Sequence, residues 1–251
     1  MRFLLHTLIY TEAAVIDSVQ LAIHIQKSSW RLVRLAAGYA LIAALVIQQA
    51  LYLKIHIDGG YNIMNKEFRE ALEDSPIIAA IKDDEGLKKC KESDSQVIFI
   101  LYGDICSISD IVNEVKTDGK IAMVHIDLIN GLSSKEIAVD FIRKYTEADG
   151  IITTKPALIK HAKELGLYTI LRLFVIDSMA YENIEKQLRA ARPDLIEILP
   201  ALMPKVVKRI CKMSSTPVIA GGLVSEKEDI MELLDAGVTS VSSTNTDIWF
   251  V

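Results

Sequence analysis

Short apolar runs alternate with longer amphipathic stretches along the chain from residue 76 to its end. The runs are continuously hydrophobic and are often bounded by turn residues, which predicts β-strands buried on both faces. Eight such runs cover residues 76–82, 97–103, 121–127, 150–154, 168–176, 195–199, 217–221 and 239–244. The stretches between the runs carry apolar residues at helical spacing and therefore predict helices.

The regular order of strand and helix predicts a parallel sheet with helices on its outside. Eight strand–helix units favour a closed (β/α)8 barrel of the TIM type over an open doubly wound sheet. The open alternative also lacks support, because no Gly-x-Gly-x-x-Gly motif follows the first strand. We therefore assign the chain to the α/β class, with a single (β/α)8 TIM-type barrel over residues 64–251.

The first 63 residues follow a different pattern and are expected to form a hydrophobic leader outside the barrel. Residues 35–53 contain no charged side chain, and their number is close to the ~20 residues that span a bilayer. Two interpretations are open. The leader is upstream sequence translated ahead of a true start at Met64, or it is a membrane segment at residues 35–53. In the first case no membrane contact is expected.

Charge and cysteine content narrow the class of protein. The whole chain has a net charge of −5, and residues 64–251 hold 23 Lys and Arg against 30 Asp and Glu. An acidic domain is unfavourable for general nucleic-acid binding, which needs local positive charge. Cys90, Cys106 and Cys211 are odd in number and widely spaced, which argues against a disulfide framework or a zinc site. This pattern favours a reduced, cytoplasmic location.

Polar or glycine residues end every predicted strand. Because parallel strands bring their carboxyl ends to one mouth of a barrel, we expect these residues to surround a small, charged ligand. The candidates for contacts with ligand hydroxyls and charges are Asp104, His125, Asp127, Lys155, Arg172 and Glu197. Acid–base catalysis and structural salt bridges are the alternatives for the three carboxylates. Arg172 lies in an apolar strand, so it needs a buried anionic partner.

The last two strand ends predict an anion site. The Gly-Gly pair after the seventh strand lets backbone N–H groups approach a ligand closely. The loop after the eighth strand adds hydroxyl, amide and backbone donors, and barrels of this type often bind phosphate between these two loops. The predicted phosphate ligands are Gly221, Gly222, Ser243, Thr244 and Asn245. The alternative is that the two glycines only form a tight turn.

The stretch from His125 to Glu136 combines two signals. His125 and Asp127 are two residues apart in a predicted strand, so their side chains are expected on the same face. Ser133 and Ser134, with Glu136 behind them, predict a capping box at a helix start. A lone histidine in a strand is more often a core residue than a ligand, and no metal site is predicted here.

Basic residues form clusters on several predicted helices. Arg189 with Arg192 is one cluster, and the helix after Pro204 carries another. Most solvated helices carry such charges, so each cluster alone has an ordinary explanation. If the protein binds a polyanion such as RNA, the first candidates lie close together at helical spacing. They are Lys205, Lys208, Arg209 and Lys212. Aromatic residues do not alternate with them as in single-strand binding proteins.

Fragments from every predicted unit resemble a known regulatory family. They are SPIIAAIK from Ser75, YGDIC from Tyr102, VHIDLINGLSSKE from Val124, ADGIITTKP from Ala148, DSMA from Asp177, EILPALMPK from Glu197, VIAGGL from Val218 and STN from Ser243. From about Met64 to its end, the chain thereby resembles the glycerol uptake operon antiterminator family. Ala201 departs from the family pattern, in which glycine is expected in the loop after the sixth strand.

The resemblance implies a function that the residues alone do not specify. The family has a (β/α)8 barrel, responds to glycerol 3-phosphate, and binds an mRNA leader to prevent premature transcription termination. By resemblance, the protein is a cytoplasmic bacterial regulator of glycerol-catabolism genes, with glycerol 3-phosphate as effector and no cofactor. It is then not an enzyme. A homodimer would assemble one positive surface for RNA.

An enzyme is the competing hypothesis. A TIM-type isomerase or synthase for a small phosphorylated metabolite would use Asp104, Asp127 or Glu197 as general base. Lys155 would act as electrophile, although a lysine beside a proline is equally typical of an exposed surface position. Turnover of a substrate would distinguish the enzyme from the regulator.

Overall fold

Eight parallel strands close into a barrel in the computed structural model, which describes residues 68–251. Each strand pairs with its sequence neighbours, and the last strand pairs with the first. The strands are β1 Ile77–Ile81, β2 Val97–Ile100, β3 Ile121–His125, β4 Gly150–Thr153, β5 Tyr168–Phe174, β6 Leu195–Leu199, β7 Val218–Gly221 and β8 Ser240–Ser243. The predicted α/β class and the (β/α)8 barrel are confirmed.

Helices connect the strands and cover the outside of the barrel. They are α1 Asp84–Cys90, α2 Ile108–Thr117, α3 Glu136–Tyr145, α4 Pro156–Glu164, α5 Ser178–Ala191, α6 Pro204–Met213 and α7 Lys227–Ala236. A further helix at residues 68–74 precedes β1. Short 3-10 helices follow β3 and β8, at Ile126–Leu128 and Thr246–Phe250.

Local sequence explains where several helices begin and end. The Asp83 side chain accepts a hydrogen bond from the Gly86 N–H at the start of α1, at 2.8 Å. Asp177 accepts from the Ala180 N–H at the start of α5, at 2.7 Å. These bonds satisfy backbone donors that have no partner within the helix. Proline in the first turn begins α4 and α6. Gly237 ends α7 with a φ of 101°.

The inside of the barrel is filled by apolar side chains, and one end is covered. Phe99 and Met123 are fully buried in this interior cluster. Phe68, in the helix before β1, belongs to the same cluster and stacks on the ring of Tyr168 with centroids 4.4 Å apart. Tyr168 begins β5, so this helix covers the amino-terminal end of the barrel. Ligand access is therefore expected at the carboxyl-terminal end.

Two more apolar clusters lie between the strands and the outer helices. Ile100 of β2 and Val139 of α3 belong to the first, which mainly joins β1–β4 to α1–α4. Ile198 of β6 and Ile210 of α6 belong to the second, which mainly joins β5–β8 to α5–α7. Strand residues thus face apolar neighbours on both sides of the sheet. This packing is the reason that the strands read as continuous apolar runs.

The third strand is shorter than the sequence pattern predicts. β3 ends at His125, and Asp127 lies in the 3-10 turn that follows. The prediction that the two side chains share a strand face is therefore wrong, because the backbone leaves the extended conformation between them. Both residues nevertheless lie at the carboxyl-terminal end of the barrel.

The predicted capping box at the start of α3 is also wrong. The helix begins at Glu136 rather than at Ser133, and its N-cap residue Lys135 makes no capping bond with its side chain. The Ser134 hydroxyl instead accepts a hydrogen bond from the Lys155 ammonium, at 2.7 Å. Ser134 therefore bonds to a residue of another loop and does not cap its own helix. Short polar side chains often have such alternative hydrogen-bond partners.

The leader prediction concerns residues 1–63, with its membrane segment at residues 35–53, and these lie outside the described residues. Within residues 68–251, no helix is both long and apolar enough to cross a membrane. The boundary at Met64 stays a prediction.

The barrel interior gives a first testable prediction. Phe99→Ala removes a ring that is fully buried among the strands, and we expect it to lower the free energy of unfolding by about 3–5 kcal/mol. Phe250→Ala is the matched control, because that ring is 53% exposed and its loss should change stability by less than about 0.5 kcal/mol. Urea unfolding followed by circular dichroism measures both. Equal losses in the two variants would contradict the assigned packing.

Candidate ligand-binding site

The structure gathers the predicted ligand residues at one end of the barrel. Because the strands are parallel, their carboxyl-terminal ends surround a single mouth. The residues there are Asp104 after β2, His125 in β3, Asp127 and Lys155 in the next two loops, Arg172 in β5, Glu197 in β6, Gly221 and Gly222 at β7, and Ser243, Thr244 and Asn245 at β8. The four cations predicted for RNA lie on the outer helix α6 instead.

A buried ion pair lies in the barrel interior, near the carboxyl-terminal ends of β5 and β6. Arg172 and Glu197 are register partners on β5 and β6, and the Arg172 Nε donates to Glu197 Oε2 at 2.6 Å. The other carboxylate oxygen, Oε1, accepts from the Ser242 hydroxyl on β8, also at 2.6 Å. The two charged side chains are only 9% and 2% exposed. Buried charges are costly unless they are paired and hydrogen-bonded, so each partner requires the other.

Glu197 engages one of the three guanidinium nitrogens of Arg172. The donor is Nε, and among residues 68–251 no acceptor is found for Nη1 or Nη2. A guanidinium has five N–H donors in a rigid plane, so one edge is held while the remaining donors are available. This arrangement suits a second anion that enters from the mouth.

The two glycines after β7 serve different purposes. A Cβ atom at Gly221 would collide with the Ser242 hydroxyl and lie 2.8 Å from Glu197 Oε1, so glycine makes room for the ion-pair network. Gly222 has a φ of +82°, in the left-handed region that favours glycine. Within the described part of the chain, no protein acceptor is found for the Gly222 backbone N–H. That donor is available to a ligand.

Side chains predicted as phosphate ligands join the loops after β7 and β8. The Ser243 hydroxyl donates to the Val224 carbonyl at 2.9 Å and accepts from the Asn245 N–H at 3.0 Å. The Asn245 side chain donates to the Ser225 carbonyl at 3.3 Å. Ser243 and Asn245 therefore shape the loops, while Thr244 between them is exposed.

His125 is a buried polar side chain with an unused nitrogen. The residue is 3% exposed, and no hydrogen-bond partner for its Nδ1 exists among the described residues. Burial, and then the positive charge of Arg172, lower the pKa of His125 from 6.5 to about 4. The ring is therefore neutral at physiological pH. An unpaired buried nitrogen of this kind is costly unless water or a ligand bonds to it.

Asp127 and Lys155 form a second ion pair, which links the loops after β3 and β4. The Lys155 ammonium donates to Asp127 Oδ1 at 2.7 Å, while Oδ2 accepts from the hydroxyl of Thr153 at 2.9 Å and the N–H of Thr154 at 2.8 Å. Burial opposes ionisation of Asp127, but the hydrogen bonds from Lys155, Thr154 and Thr153 outweigh it and lower its pKa. Asp127 is thus an ionised side chain with both oxygens engaged.

Asp104 stabilises the turn before α2. Its Oδ1 accepts from the N–H of Cys106 at 2.8 Å and from the N–H and hydroxyl of Ser107, both at 3.0 Å. The bond from the Cys106 N–H, followed by those from Ser107, lowers the pKa of the carboxyl group. The geometry therefore gives Asp104 a structural role at the rim of the mouth.

Three polar residues of this region were not predicted from the sequence. Ser242 binds Glu197, Thr153 binds Asp127, and Ser134 binds Lys155. The signal for Ser242 was present, because a serine at an inward-facing position of a buried strand requires a polar partner. Among the described residues, no group of three or more His, Cys, Asp or Glu side chains is arranged to hold a metal ion.

The chain matches a family model over most of the barrel. Residues 77–249 match the model described as glycerol-3-phosphate responsive antiterminator. The chain is also 46% identical to the uncharacterised protein YgcP of Escherichia coli K12 over 178 residues. That match covers 71% of this chain and 93% of YgcP.

Two solved structures of glycerol uptake operon antiterminator proteins are similar to this chain in fold and sequence. The glycerol uptake operon antiterminator regulatory protein of Listeria monocytogenes is 32% identical, with a TM-score of 0.67 over 69% of this chain and 94% of that chain. A glycerol uptake operon antiterminator-related protein of Thermotoga maritima is 35% identical, with a TM-score of 0.62 over 70% of this chain and 98% of that chain. Aldolases of 10% and 13% identity share the fold alone.

The burial of His125 predicts a specific dependence of stability on pH. Because its pKa is about 4 in the folded state and about 6.5 when unfolded, the unfolded state binds the proton first as the pH falls. Wild-type stability should therefore decrease by about 2–3 kcal/mol between pH 7.5 and 4.5 from this group alone. Urea unfolding of the wild type and His125→Gln across this range isolates the effect, and parallel stability curves would contradict it.

His161→Gln is the control of opposite sign. The hydrogen bond between the His161 ring and the Asp140 carboxylate raises the pKa of His161. Its stabilising contribution is therefore present at low pH and is lost as the pH rises through the folded-state value.

Proposed function

Because the chain belongs to the glycerol-3-phosphate responsive antiterminator family, as its sequence fragments predict, we propose that it binds glycerol 3-phosphate at the barrel mouth. With this effector bound, it associates with the mRNA leader of glycerol-catabolism genes and prevents premature termination of transcription. The observation that carries the ligand assignment is the Arg172 guanidinium, which Glu197 fixes by one edge.

The phosphate group is proposed to bind between Arg172 and the loops after β7 and β8. A phosphate monoester carries a charge of about −1.5 to −2 near pH 7, and charge-assisted hydrogen bonds from a guanidinium are among the strongest in proteins. The N–H of Gly222 and the hydroxyl of Thr244 supply further donors. Gly221, Ser243 and Asn245 support this site by holding the two loops in place.

The glycerol hydroxyls are proposed to bind on the β3–β4 side of the mouth. The Nδ1 of His125, which has no partner among residues 68–251, can accept or donate a hydrogen bond, according to its tautomer. Lys155 is 38% exposed and keeps an N–H for a ligand beyond its bonds to Asp127 and Ser134. Asp104, Asp127 and Glu197 act chiefly by orienting loops and cations, because protein donors already engage their carboxylates.

A binding protein is better supported than an enzyme. An efficient general base has a pKa near the working pH, whereas the pKa values of Asp104 and Asp127 are both lowered. The Lys155 ammonium, which is the electrophile of the enzyme hypothesis, is paired with Asp127 at 2.7 Å, so its charge is already engaged by a carboxylate of the protein. We propose a regulator without a cofactor. Stoichiometric binding of glycerol 3-phosphate without turnover supports this assignment, and turnover would favour the isomerase or synthase.

RNA is proposed to contact α6 outside the mouth. Lys205, Lys208, Arg209 and Lys212 are all exposed on this helix, and no acidic residue occurs within it. The effector must bind the RNA-competent state more tightly than the other state, since a ligand shifts an equilibrium only by its differential affinity. A homodimer would enlarge the cationic surface. The protein then works in the cytoplasm.

The phosphate site can be tested at Gly222. Gly222→Asp introduces a negative charge beside the proposed phosphate, and we expect at least about a tenfold loss of glycerol 3-phosphate affinity. Gly222→Asn is the matched control, because it has nearly the same size and the same strained backbone without the charge. Isothermal titration calorimetry measures all three proteins. Equal affinities of the Asp and Asn variants for glycerol 3-phosphate would contradict the placement of the phosphate at this loop.

The regulatory role can be tested with a labelled transcript of the host's glycerol-catabolism leader. We expect glycerol 3-phosphate to increase RNA affinity by about five- to 150-fold, the usual range for coupling between two sites. Glycerol at the same concentration is the control, because it lacks the phosphate. Identical RNA affinity with and without glycerol 3-phosphate would contradict a ligand-gated antiterminator.

A further inference from the structure

One stretch of this acidic protein is strongly basic on its surface. Residues 186–212, from α5 to α6, contain seven Lys and Arg and only two Asp and Glu. Both acidic residues are held by ion pairs, Asp194 with Lys163 and Glu197 with Arg172. All seven cations are exposed, and they are Lys186, Arg189, Arg192, Lys205, Lys208, Arg209 and Lys212. A polyanion would be attracted to this stretch and repelled by much of the remaining surface.

Two grooves lie between α5 and α6, one at each end of the helices. The groove far from the mouth has a volume of about 390 Å³ and is lined by Glu185, Arg189 and Arg192 on one side and by residues 214–216 on the other. Ser214, Ser215 and Thr216 offer hydroxyl and backbone groups there. The groove near the mouth, of about 370 Å³, is lined by apolar side chains, by Arg209 and by two acidic residues.

We propose that RNA binds across the surface formed by the far groove and the exposed face of α6. This inference rests on the proposed antiterminator function and identifies where its RNA partner binds. The sugar-phosphate backbone lies along Arg189 and Arg192 and continues past Lys208 and Lys212. The groove near the mouth is less suitable for phosphates, because its two carboxylates outnumber its one cation, whereas the far groove has two cations and one carboxylate. Phosphate contacts of this kind supply affinity and orient the RNA, but they do not recognise its base sequence.

The ion pair between Arg189 and Glu185 does not prevent this role. The two side chains are 2.6 Å apart but 81% and 49% exposed, and exposed ion pairs of this kind contribute little to stability. An RNA phosphate can replace Glu185 at little cost. Arg192 ends α5 in the left-handed conformation, with a φ of 50°, and projects from the helix end beside the groove.

The strands that carry the buried ion pair lead into α5 and α6, the two helices that form this surface. β5 holds Arg172 and continues into residues 175–178, which line the groove near the mouth. β6 holds Glu197 and continues through Ala201 into α6. The Ala201 N–H also donates to the Gly222 carbonyl at 3.2 Å. A ligand at Arg172 and Gly222 therefore contacts the segments that position both helices, which is the connection that ligand-gated RNA binding requires.

Variants that remove positive charge from α5 and from α6 test the proposal. Arg189→Gln with Arg192→Gln changes the side formed by α5, and Lys208→Gln with Lys212→Gln changes the side formed by α6. The matched control is Lys88→Gln with Lys227→Gln, which removes the same charge from exposed positions on α1 and α7. Binding of the labelled leader transcript is measured with glycerol 3-phosphate at several salt concentrations. Calorimetry with glycerol 3-phosphate verifies that each variant is folded.

We expect the α5 variant and the α6 variant each to lose at least about tenfold in RNA affinity, and the control variant to keep the wild-type affinity. The slope of log affinity against log salt should decrease by about 0.7 for each phosphate of a single strand that the variant no longer neutralises. If the wild type binds RNA and both the α5 and the α6 variants keep its affinity and salt slope, RNA does not bind at this surface. The surface would then belong to another partner, such as an acidic protein. A wild type that binds no leader RNA would instead overturn the proposed function.

Discussion

The buried ion pair between Arg172 and Glu197 is the interaction on which the mouth of the barrel depends. The two residues face each other in the β5–β6 register and are joined at 2.6 Å in the barrel interior. Each charge alone would be costly there, and the pair is tolerated because the Ser242 hydroxyl completes the carboxylate's hydrogen bonding. Gly221 is part of the same constraint, since a side chain there would collide with this network.

This ion pair also sets the charge of the site. The positive Arg172 helps to keep the neighbouring His125 neutral, so the mouth combines the cations Arg172 and Lys155 with a neutral hydrogen-bonding ring. The carboxylates of Asp104 and Asp127 are engaged by loop donors and ionised. Such an arrangement offers charge-assisted and neutral hydrogen bonds to an anion, whereas its ionised carboxylates are already engaged. The chemistry of the mouth therefore agrees better with recognition of an effector than with catalysis.

The fold was predictable because its strands are buried on both faces. Interior side chains such as Phe99 and outward ones such as Ile198 both contact apolar neighbours, so each strand is a continuous apolar run that sequence alone can identify. The family followed from short fragments at the strand ends, and the match over residues 77–249 confirms it. Element ends were less predictable, as β3 and α3 show, because contacts such as that between Ser134 and Lys155 join distant parts of the chain.

The sequence by itself determined the order of strands and helices, the end of the barrel where polar groups gather, and the need of Arg172 for an anionic partner. Only the tertiary structure decided that this partner is Glu197, that Lys155 pairs with Asp127, and that the His125 Nδ1 is left unpaired among the described residues. The physical reason is that hydrophobic periodicity is a local property of the chain. Pairing of buried charges depends on distances between residues far apart in sequence, which the closed barrel fixes.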